Sequence, residues 1–225
     1  MHNIHKLLIP VKAKKIRIGP HCDGGYVLGE EYLSNDVLSL GIGSNVNFEI
    51  AYSNLFPSSC ITMFDGTIDD VPSAYHKILA NKNIFFKNVY TEQDLFPIPN
   101  DCLVMMDIEA HEFRLIESFT DDTLAKIKQL CVEIHFTKKL PFPSAKNFLE
   151  KLNHYFHLIH IHENNFRKKL YYDVPSIIEC TYVNKAHWKG KASREKSSFP
   201  VIGLDFNNNP NGPNNSKLDW WIKKR

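Results

Sequence analysis

The sequence predicts an α/β protein built on a doubly wound, mostly parallel sheet of seven strands, one of them antiparallel. Three observations predict it. Short apolar runs alternate with longer helix-compatible segments, the pattern of strands joined by crossover helices. The first five runs are apolar almost throughout, as strands covered on both faces are. Glycines and carboxylates stand just after several of these runs, where open α/β sheets bind ligands.

Residues 1–35 precede the first core strand and are expected to form a lid or flanking element. The core domain is expected over 36–206, with strands at 37–40, 61–64, 84–87, 102–106 and 130–135, then 156–162 and 177–183. A helix over 109–119 would bury Phe113, Ile116 and Phe119 along one face. Thr120 can cap a helix over 121–128, with Asp121 and Asp122 at its positive end and Lys126 and Lys128 at the other. Ser144 can cap a further helix whose apolar face is Phe148, Leu149 and Leu152. The polar stretch 163–176 reads as a hairpin-type connection, which makes one of the last two strands antiparallel. Residues 207–225 read as a polar loop and tail, with Trp220 and Trp221 docking onto the domain or onto a neighbouring chain.

Composition narrows the function classes. The 225 residues suit one domain, and an apolar fraction of 43% suits a packed core. The formal charge of +2, from 27 basic and 25 acidic residues, argues against a nucleic-acid footprint. Lys223, Lys224 and Arg225 read as a solvated basic end. The five cysteines are widely spaced, odd in number and mostly beside apolar runs, so they read as reduced, mostly buried thiols. No secretory signal opens the chain, and no apolar stretch approaches the roughly 18 residues a membrane helix needs. A cytoplasmic protein with no membrane span is expected.

Six short motifs carry chemistry. Gly41-Ile42-Gly43-Ser44 follows the first core strand, where glycine lets the backbone turn tightly and approach a ligand. A third glycine would favour a dinucleotide, but Val46 occupies that place. Asp65-Gly66 ends the second strand, and an acid about 20 residues past such glycines can accept from ribose hydroxyls; a turn or cap aspartate is the plain alternative. Asp107 ends the fourth strand, and Glu109 follows it. Glu133 and His135 are two apart on the fifth strand and share a face. Asp107, Glu133 and His135 would make a hard-cation site for Mn2+ or Mg2+; a charged rim with Glu133 paired to a lysine is the alternative. His162, with Asn164 and Asn165, could complete a polar pocket for substrate, or be a surface histidine. Asp23-Gly24-Gly25-Tyr26 is first a turn, able to fold over a ligand.

These pieces resemble the FkbM-like family of S-adenosylmethionine-dependent methyltransferases. The resemblance rests on Asp23-Gly24-Gly25-Tyr26, Gly41-Ile42-Gly43 with Phe48-Glu49, Met106-Asp107-Ile108-Glu109 with Glu112-Phe113, Val132-Glu133-Ile134-His135 and His162-Glu163-Asn164-Asn165, in that order. It implies a class I methyltransferase, Rossmann-like fold and O-methylation of a carbohydrate or other small hydroxylated acceptor, such as a deoxysugar like rhamnose on a glycan. Family chains often read Asp-Ile-Glu-Gly; here Ala110 stands where the glycine would be.

On this reading Gly41, Gly43, Ser44, Asp65 and Gly66 hold the cofactor, while Glu49 and Asp23, Gly24, Gly25 and Tyr26 touch its amino-acid end. Asp107, Glu109 and His135 are the candidate catalytic residues, with His135 or Asp107 the general base if no cation binds. Phe85, Phe142 and Tyr171 are candidate pocket walls. Two other classes compete: a nicotinamide-dependent oxidoreductase, and a non-catalytic adaptor that keeps the fold.

Overall fold

The computed structural model describes residues 4–88, 98–166 and 170–222. A hairpin of β1 (Lys15–Ile18) and β2 (Tyr26–Gly29) comes first. Then follow β3 (Asp36–Leu40), α1 (Asn47–Leu55), β4 (Cys60–Phe64), α2 (Ser73–Leu79), β5 (Ile84–Lys87) and β6 (Cys102–Met106). The second half runs α3 (Glu112–Ser118), α4 (Asp121–Lys126), β7 (Ile127–His135), α5 (Phe142–Tyr155) and β8 (Phe156–Glu163). The small pair β9 (Leu170–Tyr171) and β10 (Val174–Pro175) leads to β11 (Ile177–Asn184).

Seven of these strands form one sheet in the order β5-β4-β3-β6-β7-β11-β8. Pairing is parallel from β5 to β7, and β11 runs antiparallel to both β7 and β8. All seven expected strands are present, and the expected antiparallel one is β11. Strands are added outward on one side of β3 and then, from β6, on the other, and this switch opens a crevice at the carboxyl ends of β3, β4 and β6.

Alternation along the strands sorts the two faces. Val37, Ile61, Met63, Leu103, Met105 and Cys131 pack with Phe48 and Tyr52 of α1 and with Val71 near α2. Leu38, Leu40, Val104, Leu130, Val132 and Ile134 pack on the opposite side with Leu115 and Ile116 of α3, Leu124 of α4 and Leu149 and Leu152 of α5. Each fully buried leucine of this kind contributes about 2 kcal/mol.

Helix boundaries differ from the sequence expectation in three places. α3 starts at Glu112, because Glu109 and Ala110 adopt φ of 51° and 73°, which no helix accepts. α4 is capped by Thr120, whose Oγ1 accepts from Thr123 N at 3.2 Å, but it stops at Lys126, where the backbone turns extended to start β7. α5 begins at Phe142 after Pro141, so Ser144 lies inside its first turn rather than capping it; Pro143 suits a first turn, whose N–H groups lack helical partners.

The flanking segments are built into the fold. Thr181 Oγ1 donates to Val27 O at 2.5 Å, and Gln129 Oε1 accepts from Gly29 N at 2.6 Å, so the β1–β2 hairpin lies on the sheet over β7 and β11. Asn208 is 3% exposed, and Trp221 packs on Phe199 with its indole N–H on Ser197 O. The expected loose loop over 207–216 is thus fastened, and the tail docks onto its own domain. Residues 223–225 lie outside the described residues. Among the cysteines, all free, Cys102, Cys131 and Cys180 are buried, but Cys60 at the start of β4 is exposed. Among the described residues no helix is long and apolar enough to cross a membrane.

Candidate functional site

The crevice at the switch point is a cavity of about 580 Å³. Its floor is the turn after β3. Gly41 has φ of 79°, and a Cβ there would meet Asp107 O at 1.9 Å, so the two strand ends approach this closely only with glycine. Gly43, with φ of 51°, has open space where its Cβ would be. Asp65 at the end of β4 pins that turn: one oxygen accepts from Gly43 N at 2.7 Å, the other from Thr67 N and Oγ1 at 2.7 and 2.6 Å. A carboxylate has about four acceptor positions, so Asp65 retains capacity for a ligand hydroxyl.

Glu49 enters the cavity from α1. It is 4% exposed, and Ser39 Oγ donates to its Oε1 at 2.5 Å while Oε2 has no partner. Burial raises its pKa to about 7, with the Ser39 bond offsetting part of the effect. Asp23, Gly24 and Tyr26 close the cavity from the β1–β2 loop, and Ser44 and Gly66 line it too. Gly25 does not: a Cβ there would meet Pro20 O and the Arg17 guanidinium, so it packs into the loop itself. Ser39, Asn45, Phe48, Met105, Ile108 and His111 also line it, residues to which the sequence assigned no role at the site.

Beside the cavity stands a titratable cluster. One ligand atom each of Asp107, Glu133 and His135 lie within 4.8 Å of one another. His135 Nε2 is 3.3 Å from Glu133 Oε1, 3.6 Å from Glu109 Oε2 and 3.8 Å from Asp107 Oδ1. Asp107 also lines the cavity, so it belongs to both features. Glu109 is mostly exposed at the mouth. Burial and the nearby Glu133 push the Asp107 carboxyl up, with His135 partly offsetting them. Burial works to neutralise His135, but Glu112 and Glu133 overcome it and hold the ring's pKa up at about 11. The buried oxygens Asp107 Oδ1 and Glu133 Oε2 lack hydrogen-bond partners. Oxygen and imidazole donors so arranged fit a hard divalent cation.

Cross-strand register extends this cluster. Glu133 pairs with Glu179 on β11, and Glu179 pairs with His162 on β8. Burial raises the Glu179 pKa. His162 does not reach the cavity. It is 3% exposed, with its ring nitrogens facing Asp205, Asn208 and Asn215. Burial acts against charge on Asp205, yet the imidazoles of His160 and His162 hold it far below the usual carboxylate range. Asn164 donates to Glu133 Oε1 at 3.1 Å. Asn165 fastens the C-terminal loop through Asn209 and Pro213. The three residues expected to bind substrate therefore face inward and brace the site. Phe85, Phe142 and Tyr171 do not line the cavity: Phe85 is exposed on edge strand β5, Tyr171 stacks on Phe136, and Phe142 meets Tyr172 edge-on.

No protein-family model matches the chain, and no curated protein sequence matches it. Solved structures are similar at low identity. The bifunctional kinase-methyltransferase WbdD gives a TM-score of 0.45 at 12% identity, over 66% of this chain and 34% of that one. The precorrin-6y C5,15-methyltransferase of Geobacter metallireducens gives 0.45 at 15%, over 67% and 79%. The N-methyltransferase NodS of Bradyrhizobium japonicum, in complex with S-adenosylhomocysteine, gives 0.44 at 10%, over 67% and 78%. The chain thus spans about a third of WbdD. The strand order, with one antiparallel strand between β7 and β8, is that of the class I methyltransferase, Rossmann-like fold.

Proposed function

We propose that the chain is an S-adenosylmethionine-dependent O-methyltransferase acting on a hydroxyl of a sugar or glycan, assisted by a divalent cation. One observation carries the reading: Asp107 is at once a wall of the glycine-floored cavity and a member of the cation-type cluster. A cofactor pocket and a group able to take a hydroxyl proton thus share an edge.

Gly41, Gly43 and Ser44 would receive the cofactor's backbone-like portion, and Asp65 its ribose hydroxyls. The unpartnered Oε2 of Glu49, buried on the cavity wall, suits the cationic α-amino group. S-adenosylmethionine supplies an electrophilic methyl group, leaving S-adenosylhomocysteine. Asp107, Glu133 and His135 would hold Mn2+ or Mg2+, whose Lewis acidity lowers the pKa of a bound hydroxyl. The chain's own part is to orient the acceptor oxygen for in-line attack; with no cation bound, Asp107 or His135 would be the general base instead. Carbohydrate as acceptor follows from the FkbM-like motifs, and adjacent sugar hydroxyls can bridge one cation.

Calorimetry with S-adenosylhomocysteine and with NAD tests the pocket: binding of the first without the second is expected, and the reverse points to an oxidoreductase. Incubation of candidate glycans with labelled S-adenosylmethionine should transfer the label to oxygen, be stopped by chelator and be restored by Mn2+. Turnover that survives the chelator removes the cation, and an adaptor would bind neither nucleotide.

A further inference from the structure

Two buried residues outside the cluster set the orientation of its members. Glu112 opens α3 and is completely buried. Its Oε1 accepts the backbone N–H of His135 at 2.6 Å and stands 3.5 Å from Nδ1 of the same residue. One carboxylate oxygen thus bonds the main chain of His135 and lies within ion-pair distance of Nδ1, which has no hydrogen-bond partner. The other ring nitrogen, Nε2, is left facing Glu133, Glu109 and Asp107. When a cation displaces one ring proton, the carboxylate beside Nδ1 favours keeping the other there, which gives the Nε2 lone pair to the metal.

Asn164 does the corresponding work for Glu133. Its Oδ1 accepts from Phe166 N at 3.0 Å, and its own N–H donates to Ile177 O at 3.2 Å, so the amide has a fixed sense. Nδ2 then donates to Glu133 Oε1 at 3.1 Å. The other oxygen, Oε2, is buried without a partner.

We infer that Glu112 and Asn164 are positioning residues that hold His135 Nε2 and the Glu133 carboxylate beside Asp107, so that a divalent-cation site is formed before the cation arrives. The inference rests on the cation reading above. It places neither residue on substrate or cofactor, and neither lines the cavity.

The test is Mn2+ binding, followed by electron paramagnetic resonance and calorimetry, on the full chain and on Glu112→Gln and Asn164→Ala. In Glu112→Gln the amide oxygen can still take the His135 N–H, but the negative charge beside Nδ1 is lost, and with it the pull that keeps a proton on that nitrogen. Mn2+ affinity should fall about 10- to 100-fold in Glu112→Gln and measurably in Asn164→Ala, while S-adenosylhomocysteine affinity stays at the wild-type value. Glu112→Asp should recover part of the loss. Wild-type Mn2+ affinity in both Glu112→Gln and Asn164→Ala overturns the positioning role and leaves the cation reading standing. A wild-type chain that binds S-adenosylhomocysteine but no Mn2+ overturns both. If Glu112→Gln also loses S-adenosylhomocysteine, Asn164→Ala decides by the same criterion.

Discussion

Ala110 holds a left-handed backbone, φ 73°, directly after Glu109 at φ 51° and just before α3. A left-handed alanine costs about 1–2 kcal/mol, and the FkbM-like motif often has glycine at this position. Ala110→Gly should therefore raise stability by about 0.5–1 kcal/mol after the added freedom of the unfolded chain is subtracted, as urea denaturation would measure. A decrease would show that the methyl group contributes packing. At this scale the sequence was partly readable. Asp107, Glu133 and His135 could be grouped because strand ends and two-residue spacing are local properties. Glu112 could be quoted as part of a motif but not given a task, since its partner His135 lies on another element and only the register of β6 against β7 brings them together.

The segment after residue 203 works as a strut. Phe206 stacks on His21 with ring centroids 4.0 Å apart, and the Arg17 guanidinium lies over the same ring. Asn208 accepts from Asp23 N through its carbonyl at 3.2 Å and donates to Glu179 Oε1 at 2.5 Å, while its Oδ1 meets His162 Nε2 at 3.1 Å. It ties the Asp23–Tyr26 wall of the cavity to the acidic row across β7 and β11. The side chain also donates to Asp23 Oδ1 at 3.4 Å; truncating it removes that bond and those to Glu179 and His162, at about 1–3 kcal/mol, and part of that cost should fall on the placement of Asp23. Asn208→Ala is expected to weaken S-adenosylhomocysteine binding about tenfold, measured by calorimetry. A lower melting temperature with unchanged affinity would make Asn208 a fastening of the fold alone. A run of asparagines and prolines reads as loop in any sequence, because its partners are distant and its polarity hides its burial.

The apolar packing on the two sheet faces draws in both ends of the described chain. Ile4, Leu8, Leu218 and Trp221 join the α3–α5 face, and Ile18 and Leu28 join the α1 face. Trp188 stacks on Tyr32, and Trp220 donates to Leu8 O. All three tryptophans thus report on how the flanking segments sit, whereas far-ultraviolet dichroism reports mainly on the sheet and helices. The two signals should melt together at one midpoint, because no flank has a core of its own. A fluorescence change well below the dichroism transition would show that the flanks detach first. Strand number and the lone antiparallel strand were legible from apolar runs and the short 163–176 connection. The inward turn of His160 and His162 was not, since their partner Asp205 lies beyond β11.

β11 is the last strand of the sheet to leave the ribosome, yet its place is inside the sheet, between β7 and β8. Until residue 184 has emerged, those two neighbours each present an open edge to solvent or to a chaperone. Glu133 must wait as well, because both Glu179 beside it and the connection that sets the Asn164 amide depend on that late insertion. A nascent chain could complete its nucleotide crevice, made by β3, β4 and β6, while the acidic half of the rim was still unassembled.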